Sequence, residues 1–198
     1  MAISFSKERR GFLRIAGALG LSAIAPGIDS LLAPAAAATA QSIPLRLYNA
    51  NTKERYEIQL FRGSEWNPAG LIVCDWMMRD WRENMVVHCD RRLYAALYVL
   101  QRYFSPQGMV TINSGFRSKK TNDMLRRREL AKNDGEESWR TPAVNSLHTR
   151  AMAVDFVIPG VSLKKVGDAI WDLKLGGLGR YTTFNHMDTG RRRRWGED

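Results

Sequence analysis

The chain has 198 residues, a formal net charge of +10 and only two cysteines. That length suits one domain with a proper core, and the basic balance points to anionic polymers, cell wall and membrane surfaces as neighbours. The run Arg191 to Arg194 lacks interleaved aromatics and reads as a solvated basic tail rather than as a nucleic-acid surface.

In chain order, residues 1–40 read as an address rather than as fold. Arg9 and Arg10 are followed by Gly11, Phe12 and Leu13, which resembles a twin-arginine export signal. The apolar run from Ile15 to Ala25 is shorter than the roughly 20 residues a membrane span needs. Ala38-Thr39-Ala40 fits a small-x-small cleavage site, so the mature chain starts at Gln41. Losing four basic and two acidic leader residues leaves a net charge of +8 on residues 41–198, a single catalytic domain. Export by the twin-arginine translocase implies a periplasmic location. Cys74 and Cys89 are either a disulfide or two buried thiols, because such substrates cross already folded.

Residues 45–62 alternate as two strands with Asn49 to Thr52 as the turn, a hairpin. Asn67-Pro68 opens a helix with Leu71, Ile72, Asp75, Trp76 and Met78 at helical spacing. Trp76 and Trp81 read as core or groove wall. Residues 90–104 form the clearest helix, with Asp90 as N-cap and Leu93, Leu97 and Leu100 on one face. A strand over 109–114 runs into Ser114-Gly115-Phe116-Arg117-Ser118, and a charged helix spans Thr121 to Lys132. The polar loop 133–142 is placed to line or cover a site.

Residues 151–157 read as a strand that delivers Asp155. Ser162 caps a helix that Gly176-Gly177 ends, and two short strands follow around 178–181 and 184–188. Helices and antiparallel-looking strands mix without regular βαβ alternation, so the class is α+β, with a small, mostly antiparallel sheet flanked by helices.

Two of the three histidines fall in NSLHTRAMAVDF and FNHMDTG. His148, Asp155 seven residues on, and the distant His186 make a 2-His-1-carboxylate set. That set suits zinc with an open position. Side chains at i and i+2 of a strand share a face, so Asp188 lies near His186.

The motifs SGFRS, SLHxxxxAxDF and HMDTG resemble the zinc D-Ala-D-Ala peptidases, and within them the exported murein endopeptidase K-like proteins. The likeness spans the mature chain, through the opening hairpin, DWR at 80–82, LGGLGRY at 175–181 and the closing RRW. It implies a Hedgehog/D-Ala-D-Ala-peptidase-type fold, bound Zn2+ and hydrolysis of peptidoglycan stem peptides, endopeptidase rather than carboxypeptidase. By position, His148, Asp155 and His186 match the zinc ligands, and Arg117 matches the catalytic arginine at the substrate carbonyl or carboxylate. A bridge to a carboxylate is the other role open to Arg117. Ser146 either contacts substrate or caps its loop.

Two positions depart from the family. Thr183 stands where several relatives carry the glutamate base, leaving Asp188 as catalytic base or as the partner that fixes the His186 ring. Ala151 stands where relatives often have glycine. The alternative to an enzyme is a peptidoglycan-binding relative that has lost turnover.

Overall fold

The computed structural model describes residues 43–197; the expected leader and cleavage site lie outside the described residues. The chain runs β1 (Leu45–Asn49), β2 (Arg55–Ile58), β3 (Phe61–Arg62), β4 (Glu65–Trp66), α1 (Pro68–Met77), α2 (Arg91–Phe104), β5 (Val110–Ser114), α3 (Lys119–Lys132), a 3-10 turn (Leu147–Arg150), β6 (Ala153–Val157), α4 (Leu163–Asp172), β7 (Gly177–Arg180), β8 (Asn185–Asp188) and β9 (Arg193–Gly196). No helix among the described residues is long and apolar enough to cross a membrane.

The α+β class holds, but the sheet is larger than expected. Seven strands run β2-β1-β5-β6-β8-β7-β9, with β3 and β4 as a separate ribbon. The β1–β5 and β7–β9 pairings are parallel and the other four antiparallel. The basic tail is therefore the edge strand β9. Arg193 of that strand pairs with Asp188, and Arg192 just before it stacks on Trp171 at 3.9 Å. Charge composition concealed the strand: alternating Arg side chains can lay their stems on the sheet and keep their heads in water.

One face of the sheet is apolar. Leu45, Leu47, Val110, Ile112, Val154, Phe156, Leu178 and Met187 are buried there, with α2 packed on β1 and α4 on β7 and β8. Burying each such side chain stabilises the fold by about 2–3 kcal/mol before entropy is counted. Helix α2 starts where its sequence demands, since Asp90 accepts from the Arg92 N–H. Helix α3 starts earlier than its periodicity suggests, because Ser118 accepts from the Thr121 N–H and caps Lys119 onward. Ser162 sits at the N-cap of α4 but makes no side-chain cap bond.

The reading of Trp81 is corrected. Trp81 is 39% exposed, under the Arg82 guanidinium, and is neither core nor groove wall. Both cysteines are free thiols, and burial pushes Cys89 up to about 12 and Cys74 higher still, so neither is reactive. Asp75 is also more than a point on a helical stripe. It is a buried acceptor for the Cys89 N–H and the Tyr94 hydroxyl, and it bonds His88.

Candidate metal centre

The second face of the sheet carries the chemistry. Residues paired across antiparallel strands point the same way. Asp155 of β6 faces His186 of β8, which faces Gly179 of β7, which pairs with Trp195 of β9. At the other end, an extra residue in β5 shifts the register after Ile112. Ser114, rather than Asn113, then stands opposite Asp155. One row thus runs Ser114, Asp155, His186, Gly179, Trp195. Gly179 is required there, since a Cβ would sit 2.8 Å from the Trp195 ring.

His148 reaches the row from the 3-10 turn. Ser146 caps that turn, its hydroxyl accepting from the His148 N–H at 3.3 Å. Ala151 ends it at φ 55°, a left-handed conformation that glycine adopts without steric cost. Its carbonyl accepts from the Asp90 N–H, tying the turn to the start of α2.

Three donor atoms converge. His148 Nε2 lies 3.2 Å from Asp155 Oδ1 and 3.2 Å from His186 Nδ1, and the last two are 2.8 Å apart. Ligand atoms about 2.0–2.1 Å from a tetrahedral ion are roughly 3.3 Å from one another, so the triangle fits a metal. All three residues are buried.

Each imidazole is held from behind. His148 Nδ1–H donates to the Gly115 carbonyl at 2.6 Å, which leaves Nε2 as the lone pair in the triangle. Gly115 can approach because a Cβ would be 2.4 Å from the Met78 carbonyl. His186 Nε2–H donates to Asp188 at 3.2 Å, which turns Nδ1 inward. This arrangement of outer partners is how proteins fix the tautomer of metal-binding histidines.

Arg117 lies beside the triangle. Its Nε donates to Ser114 Oγ at 2.8 Å and its Nη2 to Asp155 Oδ2 at 2.5 Å, 3.4 Å from His148 Nε2. It makes the carboxylate bridge and still points a permanent cation into the site. Asp188 is fully buried and crowded. Oδ1 accepts from the Gly177 and Gly190 N–H groups at 2.9 Å, and Oδ2 faces His186 and Arg193. These bonds overcome burial and hold its pKa far below the usual carboxylate range.

The sites titrate in opposite senses. Burial, then Arg117, lowers His148 to about 4, so it is neutral at pH 7. His186 is raised: burial opposes the charge, but hydrogen bonds to Asp155 and Asp188 outweigh it. Burial works against the Asp155 charge too, yet His148 and Arg117 keep its pKa well below normal. Below that raised pKa a metal must displace the proton from His186. Affinity should rise with pH through the raised His186 pKa and then level. Binding below that pKa should release up to about one proton, measurable by calorimetry in buffers of different ionisation enthalpy. Proton-free binding would contradict the arrangement.

The triangle opens into a cavity of about 720 Å³. Loop 133–142 lines it as expected, through Trp139, Arg140, Thr141 and Pro142. The other walls are α3 with Arg128 and Lys132, and the strand ends with Tyr181, Thr183, Phe184, Arg193 and Trp195. Sequence reasoning singled out neither Tyr181 nor Trp195 as site residues. The signal was the small-residue strand at 176–179, which makes room for an aromatic neighbour, but it needs the parallel β7–β9 pairing to be read.

The family model described as peptidoglycan L,D-endopeptidase MepK matches residues 37–195. Peptidoglycan L,D-endopeptidase MepK of Escherichia coli strain K12 is 33% identical over 195 residues, covering 96% of this chain and 98% of the relative. The probable peptidoglycan L,D-endopeptidase MepK of Haemophilus influenzae strain Rd is 34% identical over 193 residues, covering 96% of each. No solved structure matches the chain. With the family matched along nearly all of its length and a buried His-Asp-His group at the centre of its sheet, the chain belongs to the MepK family of M15 metallopeptidases.

Proposed function

We propose that the chain is a zinc endopeptidase that hydrolyses an L,D peptide bond in peptidoglycan cross-links, and that residues 41–198 act as one catalytic domain in the periplasm after twin-arginine export. The observation that carries the reading is the donor triangle at the floor of a cavity, with both imidazoles oriented from behind. Among the D-Ala to diaminopimelate, diaminopimelate to diaminopimelate and terminal D-Ala bonds of the wall, the relatives' names favour the second, where an L-centre carbonyl meets a D-centre amine.

His148, Asp155 and His186 would hold the zinc. Bound there, zinc supplies Lewis acidity, polarising a peptide carbonyl and lowering the pKa of a water to about 7. Arg117 supplies a fixed cation for the oxyanion while its Nη2 keeps Asp155 ionised and oriented. Ser146 holds the His148 turn, and its capping bond favours that role over substrate contact. Asp188 acts as the partner that aims His186, since its oxygens are already engaged by Gly177, Gly190, Arg193 and His186. The cavity walls are basic, with Arg117, Arg128, Lys132, Arg140 and Arg193 against Asp155 and Glu129, which suits a carboxylate-rich stem peptide.

A second reading is a peptidoglycan-binding relative without turnover, and Thr183 on the cavity wall favours it. Incubating residues 41–198 with cross-linked peptidoglycan, with zinc and with chelator, separates the two. Chelator-sensitive loss of L,D-linked dimers, read by mass, is the expected result. Intact dimers with zinc-loaded, folded protein would sink the peptidase reading and leave the binding one.

A further inference from the structure

The aromatic end of the site row contains a donor that the ligand set and Arg117 leave unused. Trp195 lies across Gly179 with its ring 5.1 Å from that of His186. Its Nε1–H donates to the Tyr181 hydroxyl oxygen at 3.4 Å. An indole N–H is only ever a donor, so the phenol is the acceptor of that bond and its own proton is directed elsewhere. Among the described residues no acceptor takes it, and Tyr181 lines the same cavity as the triangle. The ring cannot swing freely. It stacks on Phe184 at 4.4 Å and meets Trp139 at 5.1 Å, and the Tyr181 backbone N–H donates to the Phe184 carbonyl.

The strand order sets the geometry. Ser114, which holds Arg117, ends the row on one side, and Trp195, which holds Tyr181, ends it on the other. Arg117 already spends Nε on Ser114 and Nη2 on Asp155. A peptide carbonyl drawn to the triangle therefore has one part-engaged cation on one flank and one uncommitted neutral donor on the other.

We propose that Tyr181 is a further catalytic residue, its hydroxyl donating a hydrogen bond to the reacting peptide group from the side opposite Arg117. This rests on the endopeptidase reading above. A tyrosine suits the role: a preorganised neutral donor stabilises developing negative charge without needing to titrate. It also leaves the ion pair of Arg117 and Asp155 undisturbed.

The test compares zinc-loaded wild type with Tyr181→Phe on a purified muropeptide dimer joined by an L,D cross-link. Phenylalanine keeps the aromatic wall and removes only the hydroxyl. The expected result is a kcat lower by about 100-fold, a KM within about twofold, and unchanged zinc content and circular dichroism. Trp195→Phe, which removes the N–H that aims the phenol, should show a smaller fall in kcat. Wild-type kcat in Tyr181→Phe, or a loss confined to KM, overturns the proposal and makes Tyr181 a wall residue. If the wild type itself leaves the dimer intact, the endopeptidase reading fails and this proposal falls with it.

Discussion

Replacing His148 by alanine is expected to empty the metal centre and abolish turnover together. The side chain is 2% exposed and supplies one corner of the donor triangle, with Nε2 at 3.2 Å from both other donor atoms. Two donors do not hold zinc as three do, so metal content should fall from about one per chain toward zero. Lewis-acid stabilisation is worth several kcal/mol, so the rate should fall by at least about 1,000-fold. The fold should survive at a cost of about 1–3 kcal/mol, because the Gly115 carbonyl loses its His148 donor. His88→Ala is the matched control. That ring is almost fully exposed, bonds Asp75 and stands apart from the cavity lining, so activity and metal content should not change. Metal content by plasma emission and dimer hydrolysis by mass decide the matter. A His148→Ala protein that keeps both would remove the triangle from the mechanism.

How much of this was legible beforehand depends on what a linear pattern can encode. The donor set was, because ligand types are rare and specific: few histidines, one carboxylate seven positions on, and strand parity for Asp188. The helices were legible where periodicity and caps agreed, as at Asp90. The sheet was not, because register is a pairing property. Nothing in MVTINS reveals the extra residue that turns Ser114 toward Asp155. Nothing in a run of arginines shows that alternate residues of β9 flank Trp195 over Gly179. The same blindness left Asp188 ambiguous. Parity put it beside His186, but only the backbone turns at Gly177 and Gly190 show which of its oxygens are taken.

Asp188→Asn separates the two roles that carboxylate can play, and the expected outcome follows from its partners. Asparagine keeps an oxygen for the Gly177 and Gly190 N–H groups but offers no charge to Arg193 or His186. Arg193 would lose a carboxylate 2.8 Å away, and His186 the acceptor that turns Nδ1 into the triangle. Breaking a pair with a buried carboxylate and a part-exposed guanidinium costs roughly 2 kcal/mol, on the order of 5 °C in Tm for a domain this size. Losing the outer partner of a ligand weakens metal binding by about 10–100-fold. Turnover at saturating zinc should then recover to within about tenfold of wild type. A catalytic base predicts the reverse: unchanged zinc affinity with kcat lower by about 10²–10⁴ even when the site is full. The geometry argues for the first pattern, since Asp188 is fully buried and is not part of the cavity wall, whereas Glu129 and Asp155 are the carboxylates that line it. If zinc titration shows wild-type affinity and no metal concentration restores activity, Asp188 is the base. Its hydrogen bonds to Gly177, Gly190 and Arg193 would then have to rearrange when substrate binds.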